Sequence, residues 1–203
     1  MVIIIDYGLG NLASVQKALD VININSKVSS NISEIENAEY LVLPGVGSFE
    51  QGMLNLKRNG LDDIIRNQVI NSNKKILGFC LGMQLLFEYG TEGKFTEGLG
   101  LVKGHVEEID SQNIRVPHMG WNTITPVKGL FFDNLSSYDF YFIHSYHCLP
   151  KDNQVVSSIV NYGFDMVSSI KQNNITAMQF HPEKSQDAGL SLLKEYFIEY
   201  KNA

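Results

Sequence analysis

Cysteine is scarce in this chain: 203 residues hold two, Cys80 and Cys148. That excludes a disulfide framework and points to a reducing, intracellular setting. Clusters of basic residues are missing too. There are 16 Lys and Arg against 22 Asp and Glu, for a net charge of −6, and no nucleic-acid partner is expected without a basic stripe. No apolar run approaches the roughly 20 residues that cross a bilayer, so no membrane association is expected. The opening run Met1–Ile5 stops at Asp6, with no basic leader or cleavage site, which is not a signal peptide. A soluble, cytoplasmic protein is the expectation. Repeats, linkers and low-complexity tracts are also lacking, so residues 1–203 are taken as a single domain. What is present is a composition of 44% hydrophobic and 19% charged residues, enough for a substantial core.

The first half alternates two patterns. Val2–Ile5 is an unbroken β-branched run, the mark of a strand buried on both faces. After the loop Asp6–Asn11, residues Leu12, Val15, Leu19 and Ile22 fall at helical spacing, with Asn11 as N-cap. Ser26–Ser29, Tyr40–Leu43 and Ile76–Phe79 read as further strands, with helices after Ser48 and from Leu61. This βαβα order predicts an α/β fold: an open, mostly parallel twisted sheet with helices on both faces. Past about residue 90 the pattern changes. Gly90–Gly104 reads as a loop, and Gly104–Ile109, Asn122–Thr125 and Phe140–His144 as short strands of an antiparallel section. Val155–Val160 and Met166–Ile170 read as a hairpin, Ile175–Phe180 as a last strand, and Leu190, Leu193, Phe197 and Tyr200 as the packed face of a closing helix.

Chemistry gathers at strand ends. Gly78-Phe79-Cys80-Leu81-Gly82 places a thiol between glycines where a strand meets a helical pattern (Met83, Leu85, Leu86, Phe87). That is the layout of a nucleophile elbow, with the helix start favouring the thiolate. The motif alone does not separate a reactive cysteine from a buried structural one. His181 ends the last strand, and Glu183 at i+2 can hold its ring, so Cys80, His181 and Glu183 form a nucleophile, a base and an orienting acid. His144 and His147 are rivals as the base. His144, His147 and Cys148 are neighbours without the ligand spacing of a zinc site, and neither metal nor cofactor is expected. Gly45 and Gly47 permit a turn with N–H groups exposed toward an oxyanion. Gly8-x-Gly10-x-x-Ala13 matches a dinucleotide fingerprint, but the second strand ends in Ser29-Ser30-Asn31. The nearest acid, Glu34, falls in the next helical stretch. A dinucleotide oxidoreductase, a thiol hydrolase and a non-catalytic binding module stay open on these residues.

Gly78-Phe79-Cys80-Leu81-Gly82-Met83-Gln84 together with Gln179-Phe180-His181-Pro182-Glu183 resembles the class I (triad) glutamine amidotransferases. Asp6–Leu12, Leu43–Phe49, Val116–Asn122, Phe140–Tyr146 and His181–Ser185 narrow the resemblance to the glutaminase subunit of imidazole glycerol phosphate synthase. The resemblance implies that Cys80 is the nucleophile, His181 the acid/base and Glu183 its orienter. It implies an oxyanion hole from Leu81 and the Val46–Gly47 turn, and a glutamine pocket with Gln84, Ser145 and Tyr146. It further implies a heterodimer with a cyclase subunit, a (β/α)8 barrel, meeting this chain at Asn11, Trp121 and Lys184. Phe79 departs from the Ile or Val expected before the nucleophile. A glutaminase serving another synthase, such as the one making pyridoxal phosphate, is the nearest alternative, and Val116–Asn122 argues against it.

Overall fold

The structure is a computed structural model and describes residues 1–110, 112, 114–127 and 132–201, the last three by backbone alone. In chain order the elements are β1 (Val2–Ile5), α1 (Leu12–Val21), β2 (Ser26–Ser29), α2 (Ile32–Asn37), β3 (Tyr40–Leu43), α3 (Phe49–Arg58) and α4 (Leu61–Ile70). There follow β4 (Lys75–Phe79), α5 (Leu81–Leu85), β5 (Phe87–Gly90), β6 (Thr96–Glu97), β7 (Val102–Glu108), β8 (His118–Pro126) and β9 (Asp139–His144). The chain closes with β10 (Tyr146–Pro150), β11 (Val156–Asn161), β12 (Asp165–Gln172), β13 (Ile175–Met178) and α6 (Gln186–Lys201).

Among the described residues, nine strands form one sheet in the order β2-β1-β3-β4-β13-β12-β11-β8-β9. The run from β2 through β13 is parallel, and the strands beyond it are antiparallel. The continuous apolar runs are explained by burial on both faces. Ile3, Ile5, Leu41 and Leu43 belong to one core cluster with α3 and α4. Val2, Ile4 and Val42 belong to another with α1 and α6. A strand with core on either side needs no polar face.

Several expectations need correction. Met83–Phe87 is not the start of a long helix: α5 has five residues, and Phe87 already begins β5. The carbonyls of Leu85 and Leu86 accept from the N–H groups of Leu99, Leu101 and Val102, so the approaching chain takes the acceptors a longer helix needs. Gly90–Gly104 is not wholly loop, since β6 and the start of β7 lie in it. The strands after residue 90 pair antiparallel with one another, as expected. What was not foreseen is a second sheet, β10-β7-β5-β6, in which β7 runs parallel to the earlier β5. Asn11 occupies the N-cap position of α1, but its side chain makes no capping hydrogen bond. The last strand ends at Met178, not Phe180. In α6, Leu193 and Phe197 are buried as expected, Leu190 is half-buried, and the Tyr200 side chain lies outside the described residues.

Candidate active site

Four parallel neighbours, β1, β3, β4 and β13, end on one edge of the sheet. Register does the rest. Gly78 pairs with Ala177 and Phe79 with Met178, and the Cys80 N–H donates to the Met178 carbonyl at 2.8 Å. Cys80 therefore stands beside the outgoing end of β13, although 99 residues separate it from Gln179. Carboxyl ends of parallel strands are where open α/β sheets build sites.

Cys80 carries φ 49° and ψ −108°, a conformation that costs a non-glycine residue on the order of 1–3 kcal/mol. Close packing holds it there. A Cβ on Gly82 would overlap the Leu43 carbonyl oxygen, and one on Gly78 would come within 3.0 Å of the Met83 nitrogen. The two glycines let α5 sit directly on the ends of β3 and β4, turning the thiol out of the strand.

The Cys80 thiol donates to the Ile143 carbonyl at 3.7 Å and accepts from the Gln179 side-chain amide at 3.7 Å. His181 Nδ1 donates to Glu183 Oε1 at 2.7 Å, and both side chains are buried. His181 Nε2 is buried without a hydrogen-bond partner. Burial disfavours the imidazolium, but the Cys80 side chain and the Glu183 carboxylate outweigh it and hold the ring up to about 9. The rival histidines are otherwise engaged. His144 donates from Nδ1 to the Tyr146 carbonyl at 2.8 Å, and its Nε2 faces His118 Nδ1 at 2.9 Å. Burial above all pushes His144 down to about 3. His147 Nε2 faces Glu107, not Cys80.

Above the thiol is a cavity of about 500 Å³. It brings together the expected Val46, Gly47, Cys80, Leu81, Gln84, Ser145, Tyr146 and Lys184. Leu81 is the first residue of α5, where N–H groups lack intrahelical acceptors, and Gly47 has φ 110°. Asn11 is exposed, Trp121 is 47% exposed on β8, and neither lines the cavity. The dinucleotide reading loses its acid, because Glu34 pairs with Lys27 at 2.6 Å while Asn31 caps α2.

The glutamine amidotransferase class-I family model matches residues 3–200. The chain belongs to the class-I glutamine amidotransferase family. It is 44% identical to imidazole glycerol phosphate synthase subunit HisH 1 of Campylobacter jejuni, covering 97% of this chain and 98% of that protein. It is also 44% identical to the HisH subunit of Moorella thermoacetica, over 95% of this chain and 92% of that one. A crystal structure of a glutamine amidotransferase superposes with a TM-score of 0.79 at 21% identity, over all of both chains. The Trypanosoma brucei CTPS glutaminase domain with bound acivicin gives 0.66 at 15%, over 98% of this chain and 93% of that one.

In this class-I amidotransferase two side chains at the site escaped the sequence reading. Glu92 lines the cavity, its Oε2 accepting from the Phe49 N–H at 2.7 Å. It lies in a glycine-rich stretch with no periodicity to mark it. Gln179 is fully buried against Cys80. Its signal was present: a glutamine inside the apolar run Ile175–Phe180 must satisfy its amide in the core.

Proposed function

We propose that this chain hydrolyses L-glutamine to glutamate and ammonia at Cys80. It does so as the glutaminase subunit of imidazole glycerol phosphate synthase in histidine biosynthesis, passing the ammonia to a cyclase subunit. The observation that carries the reading is a His181–Glu183 pair beside a strained cysteine elbow, in a chain 44% identical over nearly its full length to subunits of that synthase. The finer reading is a cytoplasmic heterodimer with a (β/α)8-barrel cyclase, the glutaminase being a single domain. Asn11, Trp121 and Lys184 meet the partner. No helix among the described residues is long and apolar enough to cross a membrane.

The mechanism follows from the geometry. Cys80 and His181 share one proton; with it on His181, where Cys80 and Glu183 favour it, the thiolate attacks the amide carbon of glutamine. The oxyanion forms near the N–H groups of Leu81 and the Val46–Gly47 turn, each such donor lowering the barrier by about 3 kcal/mol. The imidazolium then protonates the amine, because an amide nitrogen leaves poorly as an anion. Ammonia departs and a thioester remains. His181, now neutral, draws a proton from water, the hydroxide attacks, and glutamate and the thiol are restored. Glu183 stabilises the imidazolium at each stage. Gln84, Ser145 and Tyr146 hold the substrate. Glu92, the one carboxylate lining the cavity among the described residues, suits the α-ammonium.

Glutamate release from glutamine, measured with and without the cyclase, tests this. Cys80→Ala is expected to abolish turnover in the complex. Retained turnover in that variant removes Cys80 as the nucleophile.

A further inference from the structure

We infer that Gln179 is a further catalytic residue, whose side-chain amide donates a hydrogen bond to the sulfur of Cys80 and steadies it as a thiolate. The inference rests on the glutaminase reading and adds to it a group outside the Cys80–His181–Glu183 set.

The orientation of that amide is fixed by its neighbours. The Tyr146 carbonyl can only accept, so the Gln84 side chain, 3.0 Å away, must present its Nε2. The same nitrogen reaches the Gln179 side chain at 3.1 Å and therefore meets an oxygen, Oε1. Gln179 then has its Nε2 turned to the other side, where it lies 3.7 Å from Cys80 Sγ. A flipped Gln179 amide would set two N–H donors against each other and an oxygen against the sulfur. Gln179 is fully buried, so water cannot substitute for either contact.

The anchor of this chain is itself pinned. His144 Nδ1 donates to the same Tyr146 carbonyl at 2.8 Å, which leaves its Nε2 as an acceptor. His118 Nδ1 must donate to that nitrogen at 2.9 Å, and its own Nε2 then accepts from the Asn122 side chain at 2.6 Å. Both tautomers follow without choice. Burial holds His118 down to about 4, as it holds His144 neutral, so the relay keeps its polarity at physiological pH.

The chemical consequence concerns the moment the proton leaves. With the proton on sulfur, the thiol donates to the Ile143 carbonyl. Deprotonation abolishes that bond and leaves the sulfur lone pairs facing a carbonyl oxygen. The Gln179 N–H remains as a donor to the new anion. Thioester hydrolysis expels the same thiolate, so the same donor serves both halves of the reaction. In each half the proton sits on His181 while the sulfur is anionic, and Gln179 neither gains nor loses one.

Gln179→Met keeps length and volume and removes the donor. Iodoacetamide alkylation of Cys80, followed by mass spectrometry, is expected to slow about tenfold at pH 7. The rates should converge at high pH, where the thiol ionises without help. A merely misplaced cysteine would stay slow at every pH, and equal rates at pH 7 would show that no donor was lost; either result overturns the inference. In the complex, kcat for glutamine should fall by a similar factor. If the variant does not fold, the wild-type protein still decides. With 15N-labelled glutamine, one buried side-chain amide pair should shift on ionisation of Cys80 and lose that shift in Cys80→Ala. Absence of such a pair overturns the inference. Failure of the wild-type complex to hydrolyse glutamine sinks the glutaminase reading instead, and leaves the alkylation comparison standing.

Discussion

The charge state of His181 is decided by three opposing effects, and their balance sets a pH dependence. Burial favours the neutral ring, whereas Cys80 and Glu183 favour the cation and together raise it to about 9. The folded value thus lies above the unfolded one of about 6.5. Stabilisation from the imidazolium is therefore complete below about 6.5 and fades as pH rises through about 9. The acid needed for amine departure disappears over the same range. We expect kcat/KM for glutamine to decline above pH 9. Glu183→Gln keeps the hydrogen-bond length and removes the charge, so Cys80 alone then opposes burial. Its high-pH limb should move below that of the wild type, with kcat reduced about 10²- to 10⁴-fold. A pH–rate profile of the two proteins checks this, and an unmoved limb would deny Glu183 its electrostatic part. Legibility at this scale was uneven for a physical reason. The elbow glycines and the i, i+2 pair are local signals. The chain from Gln179 through Gln84 to Tyr146 joins residues far apart in sequence, brought together only by the folded sheets.

At the scale of elements, the site depends on how closely α5 sits on the sheet. Gly82 faces the Leu43 carbonyl at the end of β3, with no room for a methyl group. Gly82→Ala should push α5 away and destabilise the protein by about 1–3 kcal/mol. For a chain of this size that lowers Tm by roughly 2–4 °C per kcal/mol. Because Leu81 opens α5, glutamine turnover should fall even where the variant remains folded. Calorimetry and a glutaminase assay on the same preparation test both claims; wild-type Tm and rate would show that the neighbouring backbone yields freely. β1, β3 and β4 were readable because burial on both faces leaves an apolar run. That same all-round burial misled the reading of α5. Met83, Leu85, Leu86 and Phe87 are all buried, so helix and strand share one apolar stretch with no period to divide them. The loop expected over Gly90–Gly104 hid a two-residue strand, too short for any pattern.

Over the whole molecule the cavity adjoins part of the surface proposed to meet the partner. Lys184 and Pro117 border the cavity, and β8 leaves the latter with Met119 and Trp121 exposed, 56% and 47%, at alternate positions on one face. Trp121 sits edge-on to Tyr141, and the Tyr141 carbonyl accepts the His181 N–H at 2.9 Å. A surface aromatic is thus two contacts from His181, the proposed acid/base, on a strand whose inner residue His118 hydrogen-bonds His144. Large aromatics at the centre of an interface are where truncation costs most, about 2 kcal/mol or more. In the proposed heterodimer, Trp121→Ala should weaken binding of the cyclase at least about 30-fold by titration calorimetry. Cys80 alkylation in the isolated subunit should be unaffected, because no Trp121 contact touches the sulfur. An unchanged Kd would move the interface off this face. A changed alkylation rate in the free subunit would instead mean that Trp121 holds the site together from outside, through Tyr141 and the backbone of His181.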